Sequence, residues 1–115
     1  MRTIGNTPVD GEVRAVASGA LPNGDPVVVN ADGTVSVVGG GNLTSENYIG
    51  IAKGAAADGT SAVVQTGCSI NDAQSGLTAG QDYYVQIDGT LGLTAADPSV
   101  LAGTAVSATK LIVKG

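Results

Sequence analysis

Histidine is absent from the 115 residues, which removes the commonest general base, the commonest metal ligand and both the Ser-His and Cys-His nucleophile pairs. One cysteine, Cys68, leaves no intrachain disulfide, and with no His beside it an ordinary zinc or haem site cannot be assembled from one chain. Cys68 is read as a small packing residue, and no cofactor is expected. Phe and Trp are missing too, and only three Tyr are present, so the core has to be built from Val, Ala, Ile and Leu. Each buried valine contributes about 1.5 kcal/mol or more, whereas an aromatic brings roughly 150–250 Å². Burial against neighbouring subunits would help a core of that kind.

Charge is scarce as well. Arg2, Arg14, Lys53, Lys110 and Lys114 are scattered along a chain of net charge −5, and they offer no cationic patch for a phosphate backbone or an anionic membrane. No nucleic-acid or membrane partner is expected. No run approaches the roughly 20 apolar residues of a membrane span, and Met1-Arg2-Thr3 does not begin a signal peptide, so synthesis in the cytoplasm of the host cell is expected.

What is present is glycine, 18 residues of it, with short β-branched runs between turns. The expected fold is all-β, one domain over residues 1–115 with about eight to ten short strands in a small β-barrel or β-sandwich. Strand character falls on Glu12–Ala17, on Asp25–Asn30 with Pro26 at its start, on Thr34–Val38, on Tyr48–Ala52 and on Thr60–Thr66, while Gly39–Asn47 and Asn71–Gly76 read as connections. Asp32-Gly33 between two valine runs is a strong hairpin signal, because Gly33 can take φ > 0 without a Cβ penalty. Asp58-Gly59 and Asp88-Gly89 repeat the dipeptide, and Gly24 and Gly80 mark two further turns. These eight residues are the candidate structural positions. The carboxylates are read as turn-forming rather than catalytic, no Asp-x-Asp-x-Asp spacing suggests calcium, and Gly39-Gly40-Gly41 lacks the Lys-Ser/Thr of a phosphate cradle. The chain is therefore expected not to be an enzyme.

The sequence also repeats itself. Ala20–Val35 aligns without gaps on Gly76–Leu91, so that Asn23-Gly24-Asp25 meets Ala79-Gly80-Gln81 and Asp32-Gly33-Thr34 meets Asp88-Gly89-Thr90. Weaker counterparts are Gly50-Ile51-Ala52 with Gly103-Thr104-Ala105, and Thr60–Gly67 with Ala108–Gly115. Residues 20–67 and 76–115 are thus read as two halves, preceded by Met1–Asp10, which is either an arm or a frayed terminus. A single copy leaves one greasy sheet face wet; two copies are expected to cover each other pseudo-symmetrically. Tyr83 and Tyr84 should point to opposite faces, one into the core, and Leu111–Gly115 should pair within the sheet, the alternative being addition to a neighbour's sheet.

Ala17–Leu21, Asn23–Val29 and Asp32–Val35 resemble β-rich structural proteins of tailed bacteriophages. Gly76–Val85, Asp88–Leu91 and Ala102–Leu111 are similar to the closing module of phage tail-fibre and virion proteins. Small head-decoration, or cement, proteins share the size, the β character and a Gly-Asp-Pro-Val start like Gly24–Val27. That resemblance implies an oligomer, with a trimer favoured and a dimer possible, on the capsid surface of the virion, clamping the major capsid protein lattice. It implies no catalytic residue. The alternative it leaves open is a tail-fibre or host-surface adhesion module.

Overall fold

The computed structural model describes residues 12–67 and 69–113. Met1–Asp10, Cys68 and the last two residues of the terminal run lie outside the described residues. Among the described residues ten strands form: β1 (Glu12–Val16), β2 (Pro26–Val29), β3 (Val35–Val37), β4 (Tyr48–Ala52), β5 (Ser61–Gln65), β6 (Ile70–Asn71), β7 (Asp82–Val85), β8 (Leu91–Gly92), β9 (Leu101–Ala105) and β10 (Leu111–Val113). The described residues contain no helix. All the strand-like runs of the first half become strands, and Pro26 does open β2. The one element that the pattern concealed is β6, two residues long and placed at Asn71, where a polar connection was expected.

The strands make two antiparallel sheets, ordered β1-β5-β4-β2-β3 and β6-β10-β9-β7-β8. Raising each index in the first by five gives the second. The likeness extends to single hydrogen bonds. In the β2–β3 hairpin the Asn30 amide donates to the Thr34 carbonyl at 2.7 Å and the Gly33 amide to that of Asn30 at 3.0 Å; in β7–β8 Gln86 donates to Thr90 at 2.8 Å and Gly89 to Gln86 at 3.0 Å. The register of β2 on β4 shifts between Val27 and Val28, and that of β7 on β9 between Tyr83 and Tyr84, so a bulge recurs at aligned positions. At both bulged pairs a glycine of the neighbouring strand is required on steric grounds. A Cβ on Gly50 would collide with the Gln65 carbonyl oxygen, and one on Gly103 with that of Ile112.

The alignment of the closing strands needs one correction. Ala52 pairs with Val64, and Ala105 with Leu111, so Val64 corresponds to Leu111 and not to Ile112. A slip of one residue exchanges the two faces of a strand, and the structural register puts both Val64 and Leu111 in a core.

The expectation that equivalent faces cover each other is also corrected. One cluster, of Ala17, Leu21, Val27, Val35, Ala52, Ala62 and Val64 with Val29, Ile49 and others at its margin, is drawn among the described residues from 12–67, the first half with β1 before it. The other holds their second-half counterparts Tyr83, Val85, Ala102, Ala105 and Leu111, with Leu77 and Leu91 packed against it. Into that second cluster the first half sends Val28, Val38, Leu43 and Ile51, with Tyr48 beside them. Val28 and Ile51 belong to the opposite face of their sheet from Val27 and Ala52. The halves therefore stack back to front: the outer face of the first covers the inner face of the second.

Neither sheet closes into a barrel. Ala17 makes a single parallel bridge to Val35, carrying the end of β1 to the far edge of the first sheet, but no ladder follows. β10 is an interior strand between β6 and β9, so the apolar terminal run is paired within its own sheet. Tyr83 is 5% exposed in the core, and Tyr84 is half-buried on the other face.

Candidate functional site

The turn residues divide by what they do. Asp32 accepts hydrogen bonds on one carboxylate oxygen from the Thr34 amide at 3.1 Å and the Thr34 hydroxyl at 2.6 Å. Asp88 repeats this with Thr90, at 3.1 and 2.7 Å. Both carboxyls are exposed, and both are held below their ordinary value first by the threonine hydroxyl and then by the amide. Asp58 acts at longer range: its Oδ1 accepts from the Gly19 amide at 2.8 Å, and the Gly59 amide donates to the Ala17 carbonyl at 2.8 Å, fastening the β4–β5 connection to the end of β1. Gly24 and Gly80 have φ of 87° and 84°, and their amides donate to the equivalent carbonyls of Ala52 and Ala105.

Three of these residues come together across the boundary between the halves. Gly24, Asp88 and Gly89 line a groove of about 390 Å³, with Asp25, Gln74, Ser75 and Leu91 among the other walls. Asp32, Gly33, Asp58, Gly59 and Gly80 lie elsewhere. The two halves approach closely here: a Cβ on Gly24 would stand 2.7 Å from the Ala73 carbonyl oxygen, and one on Gly89 would stand 2.5 Å from that of Val38. Partial burial raises the Asp25 carboxyl above its ordinary value.

From the groove wall inward runs a network of side-chain amides, the half-buried Gln74 at the groove and Gln65 and Asn71 buried behind it. Gln65 and Asn71, 7% and 1% exposed, end β5 and β6. Gln65 Nε2 donates to the Ile70 carbonyl at 2.8 Å, Asn71 Nδ2 donates to Gln65 Oε1 at 2.7 Å, and Asn71 Oδ1 accepts from the Ala73 amide and from Gln74 Nε2, both at 3.0 Å. Gln74 Nε2 also donates to the Gly24 carbonyl at 2.8 Å, joining the second half to the first. Sequence reasoning missed these three amides. The available signal was Gln65 closing an otherwise apolar run; Asn71 and Gln74 looked like ordinary polar loop residues.

The remaining carboxylates considered for catalysis do not converge. Asp82 accepts from the Thr104 hydroxyl at 2.6 Å on the outer face of the second sheet, Asp25 lines the groove, and Asp97 precedes the cis-peptide Pro98 in the β8–β9 connection. Among the described residues no three of His, Cys, Asp and Glu are gathered as a metal would require. The Tyr48 phenol, whose oxygen stands 3.4 Å from the Ala102 carbonyl, has its pKa raised by burial and remains neutral. Comparison with models of protein families gave no match, and no curated protein matches the chain.

Proposed function

We propose that this chain is a non-enzymatic virion structural protein, a capsid decoration or cement protein that sits on the outer surface of the major capsid protein lattice and stabilises the head. The observation that carries the reading is the use to which polar side chains are put. Asp32, Asp58 and Asp88 accept from the chain's own backbone, and Gln65, Asn71 and Gln74 fasten one half to the other. Chemistry spent on rigidity suits a mechanical part. The turn-and-strand motifs around Gly24–Val29 and Asp88–Leu91 that resemble phage virion proteins support the same reading, and a sandwich-like stacking of the two sheets fits it.

Such a protein works by many weak contacts repeated by symmetry, so self-association, as a trimer or a dimer, belongs to the proposal. Exposed Val13 and Val16 on β1, and Ile70 on β6, are apolar contact points for a neighbour or for the capsid. Its partners are then the major capsid protein and its own copies, with neither nucleic acid nor membrane involved. Cryo-electron microscopy of intact particles tests this: density for the chain at capsid symmetry axes supports it, and density confined to the tail tip defeats it.

The groove favours a second reading, an adhesion module of a tail fibre that binds a host-surface glycan. Asp25, Gln74, Ser75 and Asp88 offer polar groups to a sugar there. Saturable chemical-shift changes at the Gly24 and Gly89 amides on titration with host surface polysaccharide would support that reading. Absence of such shifts, with capsid binding retained, would dismiss it.

A further inference from the structure

The two cores differ in what they need. Among the described residues, that of the first half takes its members from 12–67, whereas that of the second is completed by Val28, Val38, Leu43 and Ile51 of the first. Val28 and Ile51, with Tyr48, stand on the face that the first half does not use for its own core, and Val38 and Leu43 reach the same cluster from the β3–β4 connection. The first half can consequently close its interior with the second half absent, and the second cannot close without a surface of this kind. A unit of the first type opens last and a unit of the second type opens first.

We propose that Val28, Val38, Leu43, Ile51 and Tyr48 form a socket for a β-unit of the second half's type, and that the second half of another copy of the chain can fill it. The back-to-front stacking carries this. The face that docks and the face that receives are different surfaces, so one molecule's receiving face fits another's docking face without new complementarity. Among the described strands, β5 of the first sheet ends at Gln65 and β6 of the second begins at Ile70, so the covalent constraint on the exchange is a short stretch of sequence. Exchange of an identical element between protomers is a low-cost route to association, because the two surfaces that meet in the complex already fit each other within the monomer. The inference does not depend on a place in a virion.

The opening step is read by amide hydrogen exchange on the full-length protein. Leu111→Ala should speed exchange of the Val85, Ala105 and Val113 amides by about tenfold or more while leaving those of Leu21, Ala52 and Lys53 unchanged. Val64→Ala, which loosens the half that carries the socket, should speed both sets. Equal acceleration of both sets by Leu111→Ala would overturn the proposal at this step. The exchange step is read by mixing two full-length variants, Ile51→Asp with a broken socket and Leu111→Asp with a broken docking unit. Each retains the part that the other lacks. The expected result is a one-to-one complex on size exclusion in which the Val85 amide of the Ile51→Asp copy regains protection. A mixture that elutes as its separate components, with that amide still unprotected, overturns the proposal. Ile51→Ala with Leu111→Ala gives the same readout if either aspartate variant fails to fold.

Discussion

At the scale of single residues the duplication supplies matched controls. Gly33 and Gly89 occupy the same turn position with φ of 86° and 89°, so alanine at either meets the same backbone penalty, about 1–2 kcal/mol. Around Gly33 a Cβ would meet nothing within 4 Å, whereas at Gly89 it would press on the Val38 carbonyl. Gly89→Ala should therefore lower stability by about 1–3 kcal/mol more than Gly33→Ala, measured by urea unfolding at neutral pH. The two aspartates beside these glycines make a pH prediction. Their folded pKa values lie below the ordinary 3.8, so their contribution is complete above that value and is lost as pH falls through the depressed folded values. Replacing Asp32 and Asp88 together by Asn should leave a shallower loss of stability in acid, visible in urea midpoints compared at about pH 6 and about pH 2.5. Asp25 has the opposite sign. Its carboxyl is raised by burial, so ionisation above the raised value costs the native state stability. Asp25→Asn should stabilise the protein at neutral pH, and that gain should vanish once the pH drops below the unfolded value. A variant stabilised equally at both pH values would show that desolvation of the carboxylate is not the cause.

At the scale of elements, β5 and β6 meet through Gln65 and Asn71 across the two sheets, and the network they begin reaches Gly24 in the turn before β2. Asn71→Leu is close in volume but leaves Gln65 Oε1, the Ala73 amide and one partner of Gln74 without their bonds. Stranding the buried Gln65 oxygen costs about 1–3 kcal/mol and the two part-buried groups less, so a loss of about 3 kcal/mol in urea unfolding is expected; a change under about 1 kcal/mol would show that water replaces the amide freely. This is the part of the molecule the sequence disclosed least. Asp32-Gly33 and Val27-Val28-Val29 carry local signals, a turn dipeptide and a β-branched run, and the structure places a hairpin and a strand on them. Asn71 carries none, since what distinguishes it from a loop asparagine is burial between two sheets, and burial is set by residues far away in the chain. The repeat was legible for the same reason as the hairpin: Asp88-Gly89-Thr90 copies Asp32-Gly33-Thr34 letter for letter. Where the letters weaken, at the last strand, the register could be read one residue out. The two faces of β2 could not be told apart either, because Val27 and Val28 are identical side chains sent to different cores.

At the scale of the whole molecule, the absence of Phe and Trp returns as an argument about assembly. With aliphatic side chains and a single buried tyrosine, Tyr83, filling the described cores, the exposed apolar residues a partner could meet are aliphatic too, as at Val13, Val16 and Ile70. Interfaces that bind tightly as single sites concentrate their energy in buried aromatic or arginine anchors. Of these residue types the described surface presents Arg14 and the half-buried Tyr84. On the proposed reading as a capsid protein, a chain with such a surface has to rely on repetition. The affinity of the purified chain for a dissociated capsomer should then be weak, and its affinity for the assembled lattice stronger by about 10²–10⁴-fold, because in the lattice a bound oligomer engages several subunits at high effective concentration. Fluorescently labelled protein, titrated against capsomers and against intact empty heads under one set of salt conditions, measures both. Equal affinities would mean that one site supplies the whole free energy, and the proposal of a symmetric clamp built from small contacts would fall even if the protein is found on the capsid.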